Sequence, residues 1–268
     1  MNRIKIRLKV LGNYAPNIKG IHKYPCSGYY IKGLSKPVIL DFGIGILPRL
    51  FKELKLNNES IYNTIFIISH NHIDHSFDMI PLSMILLKRN FVNDVKNLFN
   101  KKGKKSNKKV KVYLPKRSLM YVYVKVLKNI FDIYIINEKT LLKLDGYTFS
   151  FCQAEHRGES YATKIEKENE SFVYTSDIAY ASRKIRAFCK NSRCTLIDSG
   201  HPNKDSAKTL PGYHGKTQEI VEDLIDSGVQ RILASHLKAS LKDEDYIKVF
   251  PKDYYISLAK INEEYNVL

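Results

Sequence analysis

The 268-residue sequence lacks the features of several specialised protein classes. No apolar run approaches the roughly 20 residues of a membrane-spanning helix, so a membrane protein is not expected. The first ten residues alternate charged and apolar side chains, which is typical of a strand and not of a signal peptide. There is no repeat of solenoid period and no linker rich in proline, glycine or serine. These absences predict one domain over residues 1–268.

Cysteine is scarce and scattered along the chain. Cys26, Cys152, Cys189 and Cys194 do not have the spacing of a zinc finger. Reduced thiols are therefore expected, and with them a cytoplasmic location. The composition, with 44% hydrophobic and 26% charged residues, is otherwise that of an ordinary soluble globular protein.

Acidic residues are outnumbered by basic ones. Asp and Glu total 27 while Lys and Arg total 44, which gives a formal net charge of +17. A positive charge of this size favours an anionic partner, such as RNA or another phosphodiester. The alternative is that the many lysines reflect an AT-rich genome, and composition leaves both interpretations open.

Histidine is also rare, but three of the eight histidines fall within six residues. The four candidate metal ligands in this segment are His70, His72, Asp74 and His75. They follow the apolar run 65–68, which predicts a strand buried on both faces. The first two histidines point to the same side of an extended chain, so one ion can bind both. Imidazole and carboxylate groups suit Zn²⁺, Mn²⁺ or Fe²⁺. The alternative is a solvated loop with incidental histidines.

The pattern His-x-His-x-Asp-His after an apolar strand resembles the metallo-β-lactamase superfamily. The resemblance implies an α+β fold, a four-layer αββα sandwich in which two sheets face each other with helices outside. In that superfamily a later His, a bridging Asp and a final His complete the site. Here His156, Asp177 and His236 each follow a predicted strand, in that order. Asp41, in Asp-Phe-Gly-Ile-Gly, matches the carboxylate that supports the ligands from behind.

The same resemblance implies a site for two divalent ions, with zinc expected and manganese or iron as alternatives. The expected ligands are His70, His72 and His156 for one ion, Asp74, His75 and His236 for the other, and Asp177 for both. Two such ions share a water molecule and lower its pKa, so that a bridging hydroxide becomes the nucleophile. Asp74 is expected to hold or deprotonate that water.

A further histidine indicates which branch of the superfamily the chain resembles. His214, in Gly-Tyr-His-Gly-Lys-Thr, precedes a predicted helix and the last ligand of the motif. This order resembles ribonuclease Z and related phosphodiesterases, in which the extra histidine contacts the scissile phosphate or protonates the leaving oxygen. The resemblance implies a metal-dependent hydrolase of phosphodiester bonds, with Asp74 and His214 as catalytic residues. The alternative for His214 is a loop histidine at a helix start.

One segment of the chain is shorter than the corresponding segment of ribonuclease Z. Only 20 residues, 157 to 176, separate His156 from Asp177, which is room for one hairpin but not for the long tRNA-binding arm. A compact nuclease or a phosphodiesterase of cyclic or small nucleotides is therefore favoured over a tRNA 3′-end processing endoribonuclease. The sequence is also compatible with a thioester or lactone hydrolase and with a non-catalytic nucleic-acid-binding module.

A basic segment at 100–111 is predicted to be a surface loop, because it has seven lysines and little to bury. Six of its lysines are candidate phosphate contacts that would replace the arm: Lys101, Lys102, Lys104, Lys105, Lys108 and Lys109. The alternative is a loop that is only solvated. Members of the superfamily are often dimers, but no stretch of sequence marks an interface, so a homodimer is left open.

Some finer expectations concern single residues and the C-terminus. A helix is predicted from Ser118 to Ile130, with Leu119, Val122, Val126 and Leu127 facing inward. Thr217 is the expected N-cap of a helix that ends at Asp226. Segment 256–268 is compatible with a helix or a short closing hairpin, and the hairpin is expected by resemblance to the C-terminal strands of the superfamily. His22 and His201 are expected at the surface.

Overall fold

The computed structural model describes residues 5–16, 23–55, 60–99, 108–202 and 214–268. In these ranges the first sheet has seven strands in the order β14-β1-β2-β3-β4-β5-β6. The strands are β1 (Arg7–Gly12), β2 (Gly28–Lys32), β3 (Val38–Leu40), β4 (Ile65–Ile67), β5 (Val110–Leu114), β6 (Phe131–Ile135) and β14 (Glu264–Asn266). Strands β3 to β6 run parallel to one another, so their carboxyl ends share one edge of the sheet.

The second sheet also has seven described strands, in the order β13-β12-β11-β10-β9-β8-β7. They are β7 (Leu142–Leu144), β8 (Tyr147–Gln153), β9 (Tyr161–Lys167), β10 (Glu170–Tyr174), β11 (Cys194–Asp198), β12 (Ile232–Ser235) and β13 (Ile256–Leu258). Strands β10 to β13 are parallel, while β7 to β10 are antiparallel. As in the first sheet, the carboxyl ends of the parallel strands meet at one edge.

Helices cover the outer faces of the two sheets. The described helices are α1 (Leu47–Glu53), α2 (Ile73–Ser76), α3 (Met79–Phe99), α4 (Leu119–Val126), α5 (Arg183–Cys189), α6 (Thr217–Asp226) and α7 (Asp243–Ile247). One apolar cluster joins the inner faces of the sheets, for example through Leu8 and Phe149. Separate clusters pack α1, α3 and α4 on the first sheet, and α5 and α6 on the second. The predicted αββα sandwich of the α+β class is therefore confirmed.

The predicted inward face of α4 is wrong. Leu119, Val122 and Val126 are 78%, 59% and 76% exposed, while Met120 and Val124 are buried against the first sheet. Leu127 is partly buried but follows the last helical residue, so the helix is also shorter than predicted. The reason is that the segment has apolar residues on both faces, and hydrophobic periodicity alone does not select one of them.

Two further expectations about the C-terminal half are wrong. β13 pairs in parallel with β12 and β14 pairs antiparallel with β1, so segment 256–268 joins the two sheets and does not form a hairpin. Lys216, not Thr217, occupies the N-cap position of α6, and no side chain caps it. Thr217 is buried as the first residue of the helix. Among the described helices, none combines the length and apolar character needed to cross a bilayer.

Candidate metal centre

The expected ligand residues lie together, either a few residues beyond the carboxyl end of a strand or, for Asp74 and His75, in the short helix α2. Among the described residues there are three groups of side chains in each of which the ligand atoms all lie within 4.8 Å of one another, and the third of them consists of Asp177, Asp198, His214 and His236. The first group is His70, His72, His156 and Asp177, and the second is Asp74, His75, Asp177 and His236. These first two groups coincide with the two ligand sets implied by the sequence, and Asp177 belongs to both.

Asp177 lies at the junction of the two groups. Its Oδ2 is 3.6 Å from His70 Nε2 and 3.6 Å from His236 Nε2, and its Oδ1 is 3.2 Å from His75 Nε2. His236 Nε2 is also 3.0 Å from Asp74 Oδ2. Imidazole nitrogens from both groups thus converge on the two oxygens of one carboxylate.

Several buried polar atoms at this junction have no hydrogen-bond partner among the described residues. They are both carboxylate oxygens of Asp177 and Nε2 of His75. Burial removes the hydration of this carboxylate, and among the described residues only the neighbouring imidazoles, without well-aligned hydrogen bonds, offset that cost. Divalent cations between these atoms would remove that cost, and the imidazole and carboxylate donors are those that Zn²⁺, Mn²⁺ and Fe²⁺ accept. The residues present therefore fit two divalent ions.

Asp41 orients His75, a member of the second group, through the ring nitrogen that does not face Asp177. Its buried carboxylate accepts hydrogen bonds from His75 Nδ1 at 2.7 Å, from the backbone N–H and hydroxyl of Ser69 at 2.7 and 2.8 Å, and from Tyr174 Oη at 2.5 Å. The His75 contact leaves Nε2 as the nitrogen that faces Asp177. The four donors come from both sheets and hold the carboxylate in one orientation, as expected of a carboxylate that orients a metal-binding imidazole.

Burial and charge set the protonation of the centre. Burial lowers the pKa of His70 and of His72, so both imidazoles are neutral and able to bind a metal. Burial opposes charge on Asp177, yet His236 and His75 hold the pKa of that carboxyl well below its usual range. Conversely, burial works against the charged form of His75, but Asp177 and Asp74 raise its pKa well above the ordinary value. Bound divalent cations would replace the protons on the imidazoles beside Asp177 and supply the positive charge in their place.

His214 is held by an acidic residue that sequence analysis did not assign. Asp198 Oδ2 lies 2.7 Å from His214 Nδ1, and Oδ1 accepts the backbone N–H of Gly200 at 2.9 Å. The ring of His214 stacks on that of His236 with centroids 5.0 Å apart. Asp198 follows the apolar run 194–197, so an acid at the end of a strand, the signal used for Asp177, was available for it too.

The expectation that His201 lies at the surface is wrong. It is buried, its ring centroid is 5.8 Å from that of His214, and its Nδ1 accepts a hydrogen bond from Lys238 Nζ at 2.8 Å. His201 follows β11, so the strand end that places Asp198 also draws this histidine inward. His22 lies outside the described residues.

The lysine segment is only partly described. Lys101, Lys102, Lys104 and Lys105 lie outside the described residues. Lys108 and Lys109 come directly before β5, at the edge of the first sheet opposite to the one that carries the metal ligands. Five residues of strand span roughly 16 Å. A role for this segment in phosphate binding stays a prediction, and these two lysines lie far from the centre.

A sequence profile described as anti-Pycsar protein Apyc1 matches residues 23–248. The chain belongs to the Apyc1 family. No curated protein sequence matches it. The family match covers the whole set of candidate ligands, from Asp41 to His236.

Solved structures similar to this Apyc1-family chain share its fold over nearly their whole length. The metallo-β-lactamase fold protein YhfI from Bacillus subtilis superposes with a TM-score of 0.78 at 20% identity, over 97% of this chain and 99% of that one. A diphosphatase of the PhnP family gives 0.71 at 13% identity, over 97% of each chain. Human tRNase Z, short form, gives 0.69 at 12% identity, over 98% and 99%.

These neighbours confirm the resemblance stated from the sequence, at the level of the fold. The Apyc1-family chain has the metallo-β-lactamase fold, and its neighbours include a tRNase Z and a diphosphatase. Together with the two ligand groups, the fold supports the broad prediction of a metal-dependent hydrolase. The similarity does not decide among tRNA processing, endonuclease and other phosphodiesterase activities.

Proposed function

We propose that the chain is a two-metal hydrolase that opens the phosphodiester bond of cyclic mononucleotides. The observation that carries the proposal is Asp177, whose buried carboxylate oxygens have no hydrogen-bond partner among the described residues and lie 3.2–3.6 Å from imidazole nitrogens of both ligand groups. The match to the anti-Pycsar Apyc1 family fits hydrolysis of cyclic nucleotides and favours this substrate within the phosphodiester class.

Seven side chains would hold the ions in this proposal. They are His70, His72 and His156 for one ion, Asp74, His75 and His236 for the other, and Asp177 between them. When bound, two divalent ions supply Lewis acidity at the phosphate and lower the pKa of water. Zinc is the expected metal, with manganese or iron as alternatives.

Asp74 and His214 are the proposed catalytic residues. Asp74 Oδ2 would orient the attacking water and accept its proton, since Asp74 belongs to the second ligand group. His214 uses Nδ1 to contact Asp198, so Nε2 would give a proton to the leaving oxygen. In the balanced reaction the water oxygen forms a new P–O bond, one P–O ester bond breaks, and the product is a nucleoside monophosphate.

The interval between His156 and Asp177 favours a small substrate. Strands β9 and β10 fill most of it and pair from Lys167 and Glu170 onward, so a single tight hairpin occupies the place of the tRNA-binding arm. A true tRNA 3′-end processing enzyme needs a device that grips the body of the tRNA. An anionic phosphodiester is the proposed partner, whereas a homodimer and a cytoplasmic location remain expectations.

The deciding experiment is a turnover assay with Zn²⁺- or Mn²⁺-loaded protein. The substrates are the four 3′,5′-cyclic mononucleotides, bis(p-nitrophenyl) phosphate, a tRNA precursor and a thioester. We expect hydrolysis of the cyclic nucleotides to exceed that of the tRNA precursor. Cleavage of the thioester without cleavage of any phosphodiester would overturn the proposal.

A further inference from the structure

A groove of about 550 Å³ lies along β13, the strand at one edge of the second sheet. Its volume is within the roughly 300–1,000 Å³ that small-ligand sites occupy in proteins. None of its described lining residues belongs to the ligand groups of the candidate centre. Arg231, in its wall, comes directly before β12 and His236 directly after it, so about 16 Å of strand separates the two. The groove is therefore a surface separate from the metal centre.

Aromatic rings form much of the wall of this groove. Tyr254 and Tyr255 are 36% and 63% exposed, and Phe250 and Tyr265 also line it. A ring that is exposed in a concave surface loses contact with water when a flat apolar group covers it, and such rings are typical of binding surfaces. The groove thus suits a ligand that contains a planar ring.

The positive charge of the groove is not neutralised by ion pairs. Arg231, Lys252 and Lys260 line it, and none of the three pairs with an acid among the described residues. The acids in the lining are Asp243 and Glu263, so the cations outnumber them. Cations without an ion-pair partner beside an aromatic wall favour an anionic group on the ligand.

The guanidinium of Arg231 is held in place but uses few of its donors. It lies over the rings of Tyr255 and Tyr265, 4.6 and 5.3 Å from their centroids. Its Nη1 donates to the backbone carbonyl of Asn266 at 3.4 Å, whereas a guanidinium has five N–H donors. A positioned guanidinium with donors to spare is suited to a phosphate, which offers several acceptor oxygens.

The backbone at this edge is poorly suited to an added strand. A peptide that extends a sheet needs N–H and C=O groups that point outward. Along β13 these are the groups of Ile256 and Leu258, because the residues on either side bond to β12. The N–H of Ile256 already donates to the carbonyl of Tyr254 at 2.9 Å, and the carbonyl of Leu258 accepts Tyr265 Oη at 3.1 Å. A ligand in the groove would therefore be held mainly by side chains.

We propose that the groove along β13 is a second nucleotide-binding site, which takes one nucleoside phosphate. The base would lie against Tyr254 and Tyr255, since nucleobases stack on aromatic side chains regardless of their identity. The phosphate would supply the negative charge that Arg231, Lys252 and Lys260 lack. The site is independent of the proposed function, because no residue of the groove takes part in that reaction.

Photo-crosslinking tests where the nucleotide binds. Mn²⁺-loaded protein is irradiated with 8-azidoadenosine 5′-monophosphate and digested with trypsin. Cleavage after Lys252 and Lys260 releases Tyr254 and Tyr255 in one peptide. We expect label on that peptide, displaced by unlabelled adenosine 5′-monophosphate (AMP) but not by ribose 5-phosphate. Label confined to peptides that carry the candidate metal ligands would overturn the second site.

Two variants test the two parts of the ligand. Tyr255→Ala should raise the AMP concentration that halves the labelling about 10-fold, and Lys260→Gln about 3-fold. The matched controls are Tyr134→Ala and Lys111→Gln. Tyr134 is 38% exposed on β6, the edge strand of the first sheet, and Lys111 lies over its ring at 5.8 Å from the centroid. Both controls should behave like the wild type.

The other outcomes also decide the proposal. If ribose 5-phosphate displaces the label as well as AMP does, the aromatic wall does not bind a base and the assignment to a nucleotide is wrong. If both groove variants compete like the wild type, the groove is not the site. Stronger displacement by a single-stranded RNA oligomer, weakened in Tyr255→Ala, would assign the groove to a nucleic-acid strand and overturn the assignment to one nucleotide. Labelling does not depend on turnover, so none of these results bears on the hydrolase activity.

Discussion

Asp198 Oδ2 and His214 Nδ1 are 2.7 Å apart, and the carboxylate is itself held by the backbone N–H groups of Gly200 and Ile178. The chain therefore positions the imidazole through an acid that is fixed by the main chain. Burial disfavours charge on the ring, but Asp198 beside it raises the pKa of His214 above the ordinary value. This pair is the arrangement expected of a general acid and its orienting carboxylate.

Removing either member of this pair should slow turnover without removing metal. We expect His214→Ala to lower kcat by roughly 10²–10⁴ and Asp198→Asn by a smaller factor. Asn keeps the shape of the side chain but loses the charge that favours the imidazolium. Asp198 Oδ1 is also 3.5 Å from Nδ1 of His236, so a double variant slower than His214→Ala would mean that Asp198 acts through His236 as well. Metal analysis is the control: loss of metal in His214→Ala would make His214 a ligand instead.

Asp41→Asn should weaken metal binding. The variant loses the negative charge of the Asp41 carboxylate. In the wild type that carboxylate holds His75 and accepts hydrogen bonds from Ser69 and Tyr174. Asn is chosen because position 41 has a φ of 58°, which asparagine tolerates better than alanine. Affinity for Zn²⁺, measured by competition with a chelator, should fall about 10–100-fold. Asp132→Asn, at a half-buried acid paired with Lys109 far from the candidate ligands, is the matched control and should bind Zn²⁺ like the wild type.

Metal should stabilise the fold. The candidate ligands come from distant parts of the chain and meet only in the native state, and a ligand that binds only that state adds about 2.7 kcal/mol at 100 times its Kd. For a chain of this size that corresponds to a rise in Tm of roughly 5–10 °C. Scanning calorimetry with Zn²⁺ and with EDTA measures the difference. An identical Tm in both buffers would contradict a metal site at Asp177.

The buried thiols should be inert at neutral pH. Burial raises the pKa of Cys189 and of Cys194 to about 12 from an ordinary 9.0, so neither forms the reactive thiolate at pH 8. The folded state holds these protons more tightly than the unfolded state. Stability is therefore unaffected below pH 9 and falls between pH 9 and 12, where the unfolded thiols ionise first. Denaturation midpoints at about pH 8 and pH 10, with iodoacetamide labelling at about pH 8, check both statements. Rapid labelling of the native protein would contradict them.

The orientation of α4 gives a prediction about stability. Val124 is fully buried, while Val126, two residues on, is exposed. Val124→Ala should lower the free energy of unfolding by roughly 1–3 kcal/mol, because it removes buried methyl groups and leaves a cavity. Val126→Ala should change it by less than about 0.5 kcal/mol. Urea denaturation of both variants measures the difference, and equal losses would contradict the observed orientation.

The sequence by itself determined the strand ends that carry the candidate ligands. Each is an apolar run followed within three residues by a His or Asp, as at Ile65–Ile67 before His70, and this change is local. That these strand ends meet was implied by the resemblance to the metallo-β-lactamase superfamily, because β4 lies in one sheet and β8, β10 and β12 lie in the other. The hairpin of β9 and β10 was predictable in the same way, from two strand-forming runs around a polar turn.

Only the tertiary structure decided which side chains of different segments meet. The sequence Leu-Met-Tyr-Val-Tyr-Val-Lys-Val of α4 is apolar on nearly every side, so its inward face depends on the sheet beneath it. Strands β13 and β14 are both short, and their sequences would also allow them to pair with each other. They belong to separate sheets because β13 pairs with β12 at the edge of one sheet and β14 pairs with β1 at the edge of the other. The pairing of Asp198 with His214 and the groove along β13 likewise arise from separate segments of the chain. Local patterns specify where an element lies and ends, whereas packing between distant elements specifies what its side chains contact.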